Sequence, residues 1–288
     1  MFKLFALLAA VCLACIGVAS TTMAAGVGQL GFTLSATDLP DRVQLTLRDG
    51  RRSGLHSSSS YRPAELAGLD AAGLRTGSGA LGFTLTRDAG RVDCRGVAQR
   101  AGEASGQCQF TADPRFTALL TSRGIGAPDE REALGLTLVG ASSALVIAVA
   151  DAGYTRVSAD ELTGLAALGV TPAYITELAR GGYKPANVAN LLAFKALDIS
   201  PAYVAALGRE GYGRVPASDL IQLKALGVTP EFIRGFRAEG YPSLPIATLL
   251  QAKALGVTPD FVRSLGQPQP SRLSADDLIR LKVAGLMP

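Results

Sequence analysis

Glycine-tyrosine pairs recur at a fixed step of 29 residues through the carboxy-terminal half: Gly153-Tyr154, Gly182-Tyr183, Gly211-Tyr212 and Gly240-Tyr241. Val170-Thr-Pro172, Ile199-Ser-Pro201, Val228-Thr-Pro230 and Val257-Thr-Pro259 keep the same step, as do Leu162, Leu191, Leu220, Leu249 and Leu278. Exact periodicity without insertions specifies a stack of equivalent supersecondary units. Each unit reads as two short helices. Thr229-Pro230-Glu231 combines an N-cap, a proline suited to the first helical position and an acid near the positive end of the helix. Phe232, Ile233 and Phe236 then form an apolar face, and Gly240 closes the helix. The second helix opens at the capping box Ser158-Ala-Asp-Glu161, or at its near relative Ser274-Ala-Asp-Asp277, and runs through Leu162, Leu165 and Leu168 to Gly169. Helices this short cannot bury an apolar face alone, so the units must stack into a solenoid. Ser142 to Ala150 lacks Thr-Pro, and the last copy has Gln269-Pro270 in place of Gly-Tyr, as terminal caps would.

One polar column is a candidate site. Lys195, Lys224, Lys253 and Lys282 share one phase of the repeat, with Arg234 and Arg263 as a shorter second row. Such a ladder reads either as a surface for a partner's carboxylates or anionic envelope polymers, or as a solvated face of long cations. The tyrosines read as packing between units, with the hydroxyl at the rim.

The alternation of Leu-Gly-Val-Thr-Pro-Glu-Phe-Ile-Arg with Gly-Tyr and Ser-Ala-Asp-Glu-Leu resembles tandem repeats trailing some beta-lactam-sensor-type membrane zinc metallopeptidases of Gram-negative bacteria. The resemblance covers about half the chain and does not extend to the enzyme. There is no H-E-x-x-H and a single histidine, His56. What it implies is a bacterial envelope module in sensing or regulation, with no catalytic residue to carry over.

The amino terminus reads as an export signal. Lys3 precedes an uninterrupted apolar run from Leu4 to Ala19, and then small residues with a cut expected between Ser20 and Gly26. An uncleaved anchor, or a lipid on Cys15, are the alternatives. Removal of residues 1–25 takes Cys12 and Cys15 and leaves Cys94 and Cys108, an even pair that reads as one disulfide in an exported protein. Arg91–Val97 and Ser105–Phe110 read as two strands around a turn near Arg100 to Glu103. Antiparallel pairing that sets Cys94 opposite Cys108 also sets Val92 opposite Phe110.

Residues 26–141 look strand-rich, with further short apolar runs at Gly31–Ser35, Arg42–Arg48 and Leu81–Arg87, and short helical pieces at Pro63–Leu69 and Pro114–Ser122. Gly26-Val-Gly-Gln-Leu-Gly-Phe-Thr-Leu34 and Gly77-Ser-Gly-Ala-Leu-Gly-Phe-Thr-Leu85 echo each other at a 51-residue offset. Both fit G-x-G-x-x-G, but a dinucleotide site requires a helix where Phe-Thr-Leu reads as a strand. His56, within Gly54-Leu-His-Ser-Ser-Ser-Ser60, is expected in a solvated loop. Ala133 to Ala150, a stretch without a charge, reads as a strand or linker running into a buried capping helix rather than a membrane span.

Charge excludes little more than nucleic acid. Residues 26–141 carry 13 Lys+Arg against 12 Asp+Glu, and residues 142–288 carry 14 against 12, so neither half is a basic patch. The expected architecture is therefore α+β and multidomain: a signal peptide (1–25), a small antiparallel β-rich domain with one disulfide hairpin (26–141) and an α-helical repeat array (142–288). The expected function is a non-enzymatic periplasmic interaction module whose partner is an envelope protein with an acidic surface. No cofactor, metal, nucleic acid or integral membrane segment after signal cleavage is expected. The alternative is an envelope hydrolase using Asp129, Glu130 or Glu132, or a carbohydrate- or lipid-binding protein using the β-rich domain.

Overall fold

A computed structural model describes residues 29–39, 41–49, 56–266 and 273–285. The expected signal segment with Cys12 and Cys15, the start of the first Gly-rich echo, and Gln269-Pro270 lie outside the described residues. The protein is α+β, a six-stranded antiparallel sheet followed by a series of helices.

The strands are β1 (Leu30–Ala36), β2 (Val43–Asp49), β3 (His56–Tyr61), β4 (Ala80–Arg87), β5 (Gly90–Arg100) and β6 (Glu103–Ala112), in the spatial order β3-β2-β1-β6-β5-β4. Period-two alternation puts Leu30, Phe32 and Leu34 of β1, and Val43, Leu45 and Leu47 of β2, into one buried face. The β5–β6 hairpin adopts the expected register, Cys94 opposite Cys108 and Val92 opposite Phe110, and the two cysteines are disulfide-bonded on that buried face. Both Gly-Phe-Thr-Leu echoes are strand, in β1 and β4, with no helix opening after them. Their phenylalanines meet: Phe32 and Phe83 pack edge to face with ring centres 5.2 Å apart. Phe32 lies over the Gly96–Gly106 pair, where a methyl group on Gly106 would stand 2.7 Å from the ring. The serine-rich segment is not a loop. It is the edge strand β3, paired with β2, and the exposed His56 stands opposite Arg48. Gly54 and Leu55 lie outside the described residues.

The helices are α1 (Ala71–Thr76), α2 (Pro114–Ser122), α3 (Glu130–Val139), α4 (Ser143–Asp151), α5 (Ala159–Ala167), α6 (Pro172–Arg180) and α7 (Val188–Ala196). They continue as α8 (Pro201–Arg209), α9 (Ala217–Ala225), α10 (Pro230–Ala238), α11 (Ile246–Ala254), α12 (Pro259–Ser264) and α13 (Ala275–Val283). From α2 onward even-numbered helices pack on even and odd on odd, which makes a two-layer solenoid. The leucine column Leu162, Leu191, Leu220, Leu249 and Leu278 is its spine, each at most 1% exposed.

The series starts one unit earlier than 142. Asp113 caps α2 through Arg115 and Phe116, with Pro114 in the first turn, one full repeat step before the Ser142 cap of α4. Asp129 and Glu132 form a capping box on α3, again one step before that of Ser158 and Glu161 on α5. The segment Ser142 to Ala150 is therefore no terminal cap, because α4 packs between α2 and α6. Nor is the uncharged stretch 133–150 a strand or linker. It forms most of α3 and α4, which meet at a bend of 100°, and among the described residues no single helix is long and apolar enough to cross a membrane.

Helix α3 joins the two halves. Its Ala133, Leu134 and Leu138 belong to the sheet's core, while Leu136 belongs to the core of the array. The Tyr61 hydroxyl donates to the Leu138 carbonyl at 3.3 Å, and the Ser143 amide donates to Asp88 Oδ2 at 2.7 Å, so polar bonds also cross the joint.

Candidate functional site

The lysine ladder is built from both helices of each unit. Thr171, Ser200, Thr229 and Thr258 cap the first helix by accepting the amide of the third helical residue, which is Tyr174, Tyr203, Phe232 or Phe261. That cap fixes an aromatic ring at the unit's edge. The matching lysine stands in the last turn of the second helix, where its charge also suits the negative helix end. The ammonium groups of Lys195, Lys224, Lys253 and Lys282 lie 5.0, 4.9, 4.7 and 4.8 Å from the centres of those four rings. Each is within cation–π range. All four side chains are half-buried, and among the described residues none is ion-paired with a carboxylate. Each ammonium of the ladder thus stands over a ring of its own unit.

The rings carry a second function. Tyr174 Oη donates to the Ile199 carbonyl at 2.7 Å and Tyr203 Oη to the Val228 carbonyl at 2.8 Å, closing each unit on itself. Burial pushes the hydroxyls of Tyr174, Tyr203 and Tyr154 up to about 12. The Gly-Tyr tyrosines instead link neighbouring units, with Tyr212 Oη donating to Leu244 and Tyr241 Oη to Leu273, both at 2.7 Å.

The arginine row is committed within the fold. Arg234 pairs with the buried Glu210 of the preceding unit at 2.7 Å and with Glu231 at 2.6 Å. Arg263 pairs in the same manner with Glu239 at 2.8 Å and Asp260 at 2.9 Å. Arg237 adds a second cation on Glu210 at 2.9 Å. The pairs with Glu210 and Glu239 tie one unit to the next, whereas among the described residues the lysines have no such carboxylate.

An apolar column recurs two residues after the lysine phase, and a methyl group on Gly227, the residue after Leu226, would meet Lys253 Cε of the next unit at 3.9 Å. Leu168, Leu226 and Leu255 follow the second helix in phase with the repeat and are 41%, 42% and 41% exposed, with Leu197 partly exposed at the equivalent place. In the central units the motif is Lys-Ala-Leu, and Ala196, Ala225 and Ala254 are exposed as well. Its signal is in the sequence, because leucine recurs there in phase with the lysine, at the end of the helix that runs through Leu162, Leu165 and Leu168.

The outer, polar face of the sheet carries a shallow groove of about 860 Å³ lined by Thr84, Arg91, Asp93, Arg95, Gln107 and Gln109 among others. Its carboxylate is occupied: Asp93 accepts from Thr84 at 2.8 Å and pairs with Arg91 at 2.8 Å. Asp129 and Glu132 lie elsewhere, exchanging 2.8 Å bonds with each other's backbone amides as the α3 cap. No protein-family model matches the chain, and no curated protein matches it.

Proposed function

We propose that the protein is a non-enzymatic, exported interaction module of the bacterial cell envelope, whose helical array recognises a partner protein with an acidic surface. The observation that carries this reading is the ladder itself, a column of ammonium groups held over rings and, among the described residues, not ion-paired with a carboxylate. Repeat arrays offer extended surfaces suited to such partners. The apolar run behind Lys3 and the buried Cys94–Cys108 bond are compatible with export to an oxidising compartment. A role in envelope sensing or regulation rests on the likeness of the repeats to those of the beta-lactam-sensor metallopeptidases.

The test is capture from envelope extract by the full chain and by a variant carrying Lys195→Gln, Lys224→Gln, Lys253→Gln and Lys282→Gln. The expected result is one partner that the wild type retains and the variant loses at about 50 mM salt, where surface charges act over a longer range than at about 200 mM. Absence of any specific partner for the wild type overturns the reading. A second reading, a carbohydrate or lipid headgroup held on the sheet, is favoured by the groove around Arg95, Gln107 and Gln109. It is tested by whether Arg95→Glu abolishes binding to envelope glycans while leaving partner capture intact.

A further inference from the structure

We infer that the ligand of the array is an extended peptide segment in which a carboxylate recurs about every third residue and aliphatic side chains stand between the carboxylates. This rests on the reading of the array as an interaction surface and specifies what that surface takes.

The argument starts from what each unit repeats. Lys224-Ala225-Leu226 and Lys253-Ala254-Leu255 each present one unneutralised ammonium and one exposed leucine at the carboxy-terminal end of the second helix. The acids Glu231 and Asp260 of the motif pair with Arg234 and Arg263, and among the described residues no carboxylate is ion-paired with Lys224 or Lys253. The complementary ligand must therefore bring one negative and one apolar group per unit. Packed helices lie roughly 8–10 Å apart, which sets the step between units. In the polyproline II form an extended chain turns once every three residues and advances about 3.1 Å per residue, so every third side chain returns to the ladder after about 9 Å. A helical ligand, rising about 1.5 Å and turning about 100° per residue, covers the same 9 Å in about six residues, whose turn of about 600° carries the next carboxylate off the ladder face.

Charge and position together choose a peptide over a bilayer. A membrane-seeking surface needs cations free to follow headgroups and large apolar side chains free to insert. Here the ammoniums are seated 4.7 to 5.0 Å from ring centres, and the leucines are more than half covered. A purely anionic polymer would leave the leucine column unmatched.

The test uses the full chain and a fluorescein-labelled peptide of six Glu-Leu-Ser triplets, read by anisotropy at about 50 and 200 mM salt. Binding should weaken severalfold with salt. Leu226→Ser with Leu255→Ser should weaken it at least tenfold. Lys224→Gln with Lys253→Gln should weaken it severalfold and flatten the salt dependence, while Lys224→Arg with Lys253→Arg should retain it within twofold. Urea midpoints of each variant show that the fold survives, and the arginine pair keeps the test decisive if the glutamine pair unfolds. Equal binding of a Lys-Leu-Ser peptide, or no binding of the Glu-Leu-Ser peptide, overturns the proposal. So does preferential binding to vesicles of equimolar phosphatidylcholine and phosphatidylglycerol. If the leucine and lysine variants still capture the wild-type partner from extract, this surface is wrong while the interaction-module reading stands.

Discussion

The Lys224 ammonium sits 4.9 Å from the centre of the Tyr203 ring, and the hydroxyl of that ring donates to the Val228 carbonyl at 2.8 Å. One side chain thus seats the charge of its unit and closes the turn into the next. Phe232 occupies the same place one repeat later and seats Lys253 without a hydroxyl to reach Val257. Tyr203→Phe should cost ~0.5–1.5 kcal/mol, the usual worth of one hydrogen bond. Phe232→Tyr should be neutral or stabilising, because the carbonyl of Val257 holds the repeat position of Val228. Urea titrations of both variants check the pair, and a marked loss from Phe232→Tyr would refute the equivalence.

Alkaline stability follows from the same rings. Burial raises the Tyr174 and Tyr203 hydroxyls from 10.0 to about 12, so in the unfolded chain they ionise first. Their contribution is complete below pH 10 and is lost as pH rises towards 12. Double replacement, Tyr174→Phe with Tyr203→Phe, should therefore reduce the fall in urea midpoint between about pH 9 and pH 11.5. An unchanged fall would show that these hydroxyls do not report on folding.

The disulfide closes a hairpin whose cysteines are 14 residues apart and each 2% exposed. Chain-entropy arguments put closure of such a loop at ~3 kcal/mol. Cys94→Ala with Cys108→Ala should lower the urea midpoint of the sheet, and peptide mapping of the protein prepared without reductant should find the two joined. Two free thiols in such material would contradict the bond.

Gly106 is confined by Phe32 above it and by the Arg95 carbonyl beside it. Gly106→Ala should cost ~1–3 kcal/mol through overpacking. Combined with Phe32→Leu it should cost less than the sum, because the two changes share one space. Strict additivity in thermal or urea unfolding would show that the ring does not press on the glycine.

Where a position serves a repeating structural need, its identity was legible. The Thr-Pro caps, the buried leucine column and the cross-strand cysteines each follow from one local rule, and each stands as expected. The first unit was hidden by substitution: Asp113 replaces the Thr or Ser cap, Ile125 replaces tyrosine and Ala133 replaces leucine. Helix α3 was hidden for a different reason. It is buried against the sheet on one side and the array on the other, so Ala133, Leu134, Leu136 and Leu138 show no polar face to reveal a helical period. Strand β3 has serines where alternation would announce a strand. The ladder's phase was visible, but its seating was not, since lysine and ring lie on different helices and meet only after the unit folds.

The double duty of α3 gives the protein an uneven freedom to change. The end of the solenoid next to the sheet is spoken for, since any alteration of α3 disturbs the packing of both cores it enters. Further along, among the described residues, each unit packs on like neighbours. Excising residues 200–228 would join Ile199 directly to Thr229, and α6 and α7 would then face α10 and α11 in the original phase. Whole-unit gain or loss thus lengthens or shortens the protein's reach in quantised steps, each adding or deleting one lysine–leucine tooth, while the anchored end keeps its shape.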